Sequence, residues 1–209
     1  MKRVIILIAV FSIVGSELFS QDLLKLTVKL KSPAAFNYSY DNKYLAVSTN
    51  SEVHLLNAGS DTKATTISGA RNVSNIIFSM DNTLMATANG DKSIKIWEIP
   101  TGKLNKTLTG HTESVLALRF INNDKFIVSI GDDKAVNLWD VDSSKIVYSK
   151  KDHLKAIRAL DVSNDDKWIA TGGADKEIFL RDATTGNVAK KLSAHENWIR
   201  TLAFSPDSK

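Results

Sequence analysis

The strongest constraint on the fold of this 209-residue chain is an internal repeat of about 42 residues. In each copy an apolar residue runs into a cluster of Asp, Asn, Ser or Pro, which is typical of a tight turn after a strand. Five such segments align at spacings of 40, 42, 42 and 42 residues, and they begin at Tyr38, Phe78, Phe120, Val162 and Phe204. A fixed period of this length indicates one supersecondary unit that is used repeatedly.

Each period predicts the same four short strands. The first strand begins at Val73, Val115 and Ile157 in successive copies and ends at the repeated turn. The second strand ends in small residues, as in 84–88, and the third alternates strictly, as in 93–97. Period-two alternation is what a strand with two different faces requires. The fourth strand is more polar, which suits the outer edge of a sheet.

Two dipeptides give the repeats a family resemblance. Gly110-His111 followed by Trp139-Asp140 resembles the paired Gly-His and Trp-Asp signature of WD40 repeats, with the expected length between them. Other copies are partial: Trp97-Glu98, Asp152-His153, Arg181-Asp182 and Ala194-His195.

The resemblance implies an all-β fold, a β-propeller built of four-stranded blades. We expect about four complete blades and the start of a fifth, whose first strand would include Ile199, Leu202 and Phe204. Segment 21–30 alternates apolar and polar residues and would serve as the strand that closes the ring. Since such rings usually contain more blades, we expect the natural chain to continue after Lys209. The repeats are assigned to 31–68, 69–109, 110–151, 152–193 and, in part, 194–209.

One group of residues resembles a catalytic triad. His111, Ser129 and Asp133 are the residue types that activate a serine in hydrolases. Together with Trp139, however, they lie where the WD40 resemblance implies a buried hydrogen-bond relay that ties two turns together. Ser129 is predicted to lie within a strand, without the glycine elbow of a nucleophile. We therefore predict a structural relay and no enzyme.

Two other repeats contain incomplete versions of this relay. One has Ala70 in place of the histidine and the other has Arg181 in place of the tryptophan. We expect these blades to be held less tightly, because a buried polar group without a partner costs about 1–3 kcal/mol. The residues retained are Thr87, Asp91 and Trp97 in the first, and His153, Thr171 and Asp175 in the second.

The sequence predicts no cofactor and no metal site. His111, His153 and His195 recur at a spacing of 42 residues, which places them on different blades. Side chains on different blades cannot converge on one zinc ion. The chain also contains no glycine-rich phosphate loop.

Composition and charge favour a protein partner over nucleic acid. Hydrophobic residues make up 43% of the chain and charged residues 24%, as in soluble globular proteins. The formal net charge is +4, but the lysines alternate with aspartates, as in Asp91-Lys92, and never form a block. This pattern predicts a solvated surface of mixed sign, without a nucleic-acid patch.

Trp198 is the candidate anchor for a protein partner. It aligns with Asn72, Ser114 and Ala156, which are polar or small, so this position does not require a core residue. An exposed aromatic residue on a rigid rim is typical of interface hot spots. The alternative is that Trp198 packs against its own or the next blade. The surrounding candidates on the same rim are Glu113, Asp132, Lys155, Glu196 and Asn197.

The favoured function is therefore an interaction scaffold that presents loops on a rigid ring. The alternative is a recognition or regulatory domain of a larger exported protein whose effector or enzymatic domain lies beyond residue 209. Downstream sequence would distinguish the two.

The first twenty residues are typical of a secretory signal peptide. Lys2 and Arg3 precede an apolar run, 4–15, and a more polar stretch follows it. The run is shorter than the ~20 residues that a membrane-spanning helix needs, so we expect no membrane span once the signal is removed. A retained anchor is the alternative. The chain has no cysteine for lipid attachment or disulfides, and these features indicate a bacterial periplasmic or secreted protein.

We predict that export removes residues 1–20, so that the mature protein begins near Gln21, with cleavage after Ser16 as the second choice. N-terminal sequencing of the cell-associated and secreted fractions measures this directly. A protein that keeps Met1 and sediments with membranes contradicts the prediction.

Overall fold

The computed structural model describes residues 34–58, 62–193 and 195–208, and within these residues the chain is all-β without a helix. The predicted signal peptide and the predicted closing strand lie outside the described residues. The strands form four antiparallel sheets of four consecutive strands each: sheet 1 (β1–β4), sheet 2 (β5–β8), sheet 3 (β9–β12) and sheet 4 (β13–β16). The strands are β1 (Phe36–Tyr38), β2 (Tyr44–Ser48), β3 (Glu52–Asn57), β4 (Lys63–Ser68), β5 (Val73–Phe78), β6 (Leu84–Asn89), β7 (Ser93–Glu98), β8 (Leu104–Thr109), β9 (Val115–Ile121), β10 (Phe126–Gly131), β11 (Val136–Asp140), β12 (Lys145–Lys150), β13 (Ile157–Val162), β14 (Trp168–Gly173), β15 (Ile178–Asp182) and β16 (Val188–Leu192).

The hydrophobic core lies between consecutive sheets, because each central strand buries both of its faces. In β6, Met85 packs with sheet 1 whereas its neighbour Ala86 packs with sheet 3. In β10, Ile127 faces sheet 2 and Val128 faces sheet 4. Successive side chains of a strand point to opposite faces, so one apolar strand contributes to two cores. The first strands of consecutive sheets also contact one another. This arrangement of sheets confirms the predicted blades.

The repeated turns between the first and second strands also join neighbouring sheets. The fourth residue of each turn has a positive φ, which Asn and Asp adopt more readily than other non-glycine residues. In sheet 3 this residue is Asp124, whose carboxylate accepts from the Met80 N–H of sheet 2 at 2.7 Å. In sheet 4 it is Asp166, which accepts from the Asn122 N–H at 2.8 Å. One residue therefore shapes the turn and holds the adjacent sheet.

The predicted first strand of a fifth blade does not form. Residues 199–204 are held by two hydrogen bonds, from the Ile199 N–H to the Gly173 carbonyl at 3.1 Å and from the Phe204 N–H to the Asp161 carboxylate at 2.7 Å. The expectation of a strand here was wrong for the described residues. A strand needs a ladder of hydrogen bonds with a neighbour, and no described strand pairs with this segment.

Candidate functional site

The four predicted relay residues of sheet 3 meet in one hydrogen-bonded chain. His111 Nδ1 lies 2.9 Å from Asp133 Oδ2, and His111 Nε2 lies 2.7 Å from Ser129 Oγ. The Trp139 indole N–H donates to the same Ser129 oxygen at 2.7 Å. The chain of bonds joins the loop before β9 to the turn between β10 and β11.

One assignment of protons satisfies every donor in this relay. If His111 donates from Nδ1 to Asp133, its Nε2 is free to accept from the Ser129 hydroxyl, which in turn accepts from Trp139. Asn137 Nδ2 also lies 3.1 Å from His111 Nε2. Ser129 is fully buried and its only proton is used within the relay, so the hydroxyl is not presented to a substrate.

Electrostatics keep the carboxylate of the relay ionised. Burial acts to raise the pKa of Asp133, but hydrogen bonds from His111 and from the Thr112 N–H outweigh it and lower the pKa. The side chains of His111 and Asp133 are 0% and 2% exposed, so their contact is shielded from water. A shielded contact of this kind makes the turn rigid, because breaking it would leave two buried polar groups unpaired.

Sheet 4 repeats most of the relay with different partners. His153 lies 2.9 Å from Asp175 and 3.0 Å from the Thr171 hydroxyl. The Phe179 and His153 rings pack edge to face with their centres 4.6 Å apart. Burial is the main cause that lowers the pKa of His153, and Arg181 also lowers it. These effects favour the neutral imidazole that the relay requires.

In sheet 4, Arg181 occupies the tryptophan position and forms an ion pair with Asp152. Arg181 is fully buried, and its guanidinium contacts the Asp152 carboxylate at 2.5 Å. The equivalent of Asp152 in sheet 3 is Gly110, where a Cβ would meet the Trp139 ring at 2.9 Å. Glycine therefore accompanies the indole, and aspartate accompanies the guanidinium.

Sheet 2 replaces its missing histidine with two polar side chains. Lys95 Nζ donates to the Asp91 carboxylate at 2.7 Å and to the Gly69 carbonyl at 2.6 Å, and so ties the loop to the turn. Asn89 Nδ2 donates to the Thr87 hydroxyl at 3.2 Å. That hydroxyl accepts from the Trp97 indole N–H at 3.0 Å.

In sheet 2, Asn89 takes the place of the histidine ring, and its position is glycine in sheets 3 and 4. The equivalents of Asn89 are Gly131 and Gly173, where a Cβ would lie 3.1 Å and 3.2 Å from the histidine Nδ1 of each relay. Our prediction of looser blades left out these replacements. A comparison of positions 42 residues apart would have found them, since each lost relay residue coincides with a second substitution.

The relays support one rim of the protein, which we call the relay rim. It consists of the loops that lead into the first strands (69–72, 110–114, 152–156) and the turns between the second and third strands (90–92, 131–134, 173–176). Backbone bonds join loop to turn, from Asp132 to Ser114 at 3.0 Å and from Ala174 to Ala156 at 2.9 Å.

The structure places all six candidate partner-binding residues on the relay rim or beside it. Trp198 is 55% exposed, so it does not pack into a described blade, and its neighbour Ile199 is bonded to Gly173 of the rim. Two of the six are in ion pairs: Glu113 with Lys92 at 3.9 Å and Asp132 with Arg158 at 3.0 Å. The remaining three, Lys155, Glu196 and Asn197, are exposed.

Two further classes of site are not seen in the part of the chain that the structure describes. No group of three or more His, Asp or Glu side chains there is arranged to hold a metal ion. No described helix is long and apolar enough to cross a membrane.

Four-stranded sheets of this kind, repeated about every 42 residues and tied by a complete Asp–His–Ser–Trp relay in sheet 3 and by variants of it in sheets 2 and 4, define a repeat protein of propeller blades. The family model "WD domain, G-beta repeat" matches residues 61–98, 102–140, 144–182 and 186–209, and the chain belongs to this family. Each complete match begins one or two residues before the fourth strand of one sheet and ends on the last residue of the third strand of the next sheet. The sequence repeat is thus offset by one strand from the sheet.

Curated relatives match short parts of the chain. A Lissencephaly-1 homolog of Caenorhabditis briggsae is 46% identical over 43 residues, which is 21% of this chain and 11% of that protein. The COMPASS component SWD3 of Saccharomyces cerevisiae is 37% identical over 57 residues, or 27% of this chain and 18% of that protein. The pre-mRNA-splicing factor PRP46 of Candida glabrata is 39% identical over 51 residues, or 24% and 12%. The aligned regions thus cover less than a fifth of each of these relatives.

We predict that Ser129→Ala lowers the free energy of unfolding by about 1–3 kcal/mol, because His111 and Trp139 each lose a buried partner. Chemical denaturation measures the change. Ser149→Ala on the exposed side of β12 is the matched control and should change stability by less than about 0.5 kcal/mol. Loss of a hydrolase activity without loss of stability would contradict the structural role.

We predict that Asp152→Ala destabilises the protein by about 2–3 kcal/mol, because it leaves the Arg181 charge buried and unpaired. The cost is below that of a fully buried pair, since the Asp152 side chain is 45% exposed. The double variant Asp152→Gly with Arg181→Trp recreates the glycine–tryptophan pair of sheet 3. It should recover most of the stability that Asp152→Ala loses. Asp142→Ala, which removes a 97% exposed carboxylate, is the control. Equal stability of Asp152→Ala and wild type would show that the ion pair is not needed.

Proposed function

We propose that this protein is a non-catalytic scaffold that binds a partner protein through the relay rim, with Trp198 as an anchor. The WD40 repeats by themselves indicate protein–protein interaction. The choice of this rim and of Trp198 is supported by one observation: a large aromatic side chain is 55% exposed on a rim whose exposed side chains are mostly polar, with Leu154 as the other exposed apolar one. Tryptophan is enriched among the residues that dominate binding energy.

The rigidity of the relay rim supports a role in binding. Its turns in sheets 3 and 4 are tied to the preceding loops by buried histidine–carboxylate contacts of 2.9 Å. In sheet 2 the Lys95 ammonium makes the equivalent connection. A surface that is already ordered loses less conformational entropy when it binds. The same relays use up the polar groups that a hydrolase would need, which supports a non-catalytic role.

The names of two relatives support a scaffold role for this chain. One is named as a component of COMPASS and another as a splicing factor, so at least the first belongs to an assembly. We propose the same kind of role for this chain, with a different partner. We also propose that it acts outside the cytoplasm, and this proposal rests on the signal-like sequence of residues 1–20.

We predict that Trp198→Ala weakens binding of the partner by about 2 kcal/mol, or roughly thirtyfold, with little change in melting temperature. The partner is first isolated by cross-linking, and its purified form is then titrated by calorimetry. Met80→Ala is the matched control, because Met80 is 63% exposed on the opposite rim. If the melting temperature falls while affinity per folded molecule is kept, Trp198 is a structural residue and the proposed rim loses its anchor.

A further inference from the structure

We propose that the partner segment recognised by the relay rim is acidic and contains apolar side chains that contact Leu154 and Trp198. This inference rests on the proposed function and specifies the chemistry of the partner. It is carried by two exposed apolar side chains that flank one turn and by exposed lysines whose preceding aspartates are buried.

The two apolar side chains lie on either side of one turn. Leu154 is 77% exposed, and its N–H donates to Asp175 in the turn after β14 at 2.9 Å. Trp198 is 55% exposed, and the N–H of the next residue, Ile199, donates to Gly173 of the same turn at 3.1 Å. The two side chains, which we call the apolar patch, therefore flank one rigid turn. Exposed apolar side chains that are grouped on one surface mark interaction sites more often than single ones do.

Exposed lysine side chains lie on the same rim as this patch. The aspartates that precede two of them in the sequence are buried. In the Asp-Lys pairs of sheets 3 and 4, Asp133 and Asp175 turn inward to the histidines, with side chains only 2% and 4% exposed. Lys134 and Lys176 have φ of 66° and 71° and are exposed on the rim. In these two pairs folding buries the ionised carboxylate and leaves the lysine exposed, while Glu113, Asp132 and Glu196 keep both signs on the rim as a whole.

The remaining acidic groups on the rim are mostly neutralised. Glu113 pairs with Lys92 and Asp132 pairs with Arg158. Glu177 beside the turn pairs with Lys191 at 3.4 Å. Among the described residues no ion pair involves Lys134, Lys155, Lys176 or Glu196, so three exposed ammonium groups and one exposed carboxylate remain unpaired there. The exposed charges without an ion pair beside the turn are therefore mainly ammonium groups, which complement the carboxylates of an acidic segment.

A protein segment fits this surface better than nucleic acid does. Proteins that bind single strands stack several bases on aromatic rings along a basic groove. Here the patch has one aromatic side chain, and its most exposed member, Leu154, is aliphatic. Leucine and tryptophan next to lysines match alternating apolar and acidic side chains.

Short fluorescein-labelled peptides test this inference with the full chain. Three peptides share Leu and Phe at the same positions and carry Glu, Gln or Lys at all others, and a single-stranded oligothymidine of equal charge to the first is the fourth probe. Fluorescence anisotropy is measured in about 0.1 M and about 1 M NaCl, where the Debye length is ~10 Å and ~3 Å. We expect the Glu peptide to bind at least tenfold more tightly than the Gln peptide at low salt, and to lose this advantage at high salt.

Variants then locate the binding surface. Lys155→Glu with Lys176→Glu should weaken the Glu peptide at least tenfold, and Leu154→Ser should weaken it severalfold. Lys103→Glu with Lys125→Glu is the matched control, since it makes the same charge change on exposed residues of the opposite rim. Equal binding of the Glu and Gln peptides, equal loss in the control, or tighter binding of oligothymidine would each overturn the inference.

The isolated partner separates the two proposals. If Trp198→Ala weakens partner binding but the Lys155 and Lys176 reversals do not, the relay rim is the interface and the acidic partner is rejected. If neither change affects the partner, the proposed function of the rim fails as well. If Trp198→Ala and the lysine reversals both weaken partner binding, both proposals are supported.

Discussion

A buried contact between histidine and a carboxylate organises both sheet 3 and sheet 4. In sheet 3 it joins His111 to Asp133, and a serine and a tryptophan extend it into the core. The contact connects two backbone segments that are about 22 residues apart and otherwise touch through a few backbone bonds. Because the side chains are dry, the bond cannot be exchanged for water without leaving unpaired groups in the core. The rim owes its rigidity to this contact.

The three relays also show how a buried network tolerates change. Each loss of a relay residue coincides with a second substitution that restores a partner or fills space. Where histidine is absent, Asn89 takes a position that is glycine in sheets 3 and 4. Where tryptophan is absent, Arg181 is matched by Asp152 in place of glycine. Burying a guanidinium is costly unless a carboxylate accompanies it, so the two substitutions depend on each other.

The same relays determine the chemistry of the surface. Each uses an aspartate that precedes an exposed lysine in the turn, as in Asp175-Lys176. Drawing the carboxylate inward leaves the ammonium group as the charge that a partner meets. The network that stabilises the turn therefore also determines that lysine, and not aspartate, is the exposed member of each pair on the rim that carries Leu154 and Trp198.

The sequence by itself determined the class of fold and the relay residues. The 42-residue spacing and the period-two alternation depend only on local chain geometry, which a sequence reports directly. Histidine, serine, aspartate and tryptophan at these positions, such as His111 and Trp139, were sufficient to predict the relay of sheet 3 once their resemblance to WD40 repeats was taken into account.

Only the tertiary structure decided what surrounds these residues. That Lys95 replaces a histidine, or that Asp152 serves Arg181, depends on which loops approach each other across 26 and 29 residues of chain. The strand predicted near Ile199 failed for the same reason, since a strand requires a partner and not only a pattern. Charge is likewise read from the sequence as a sum, whereas folding decides which side chains are buried and which face a partner.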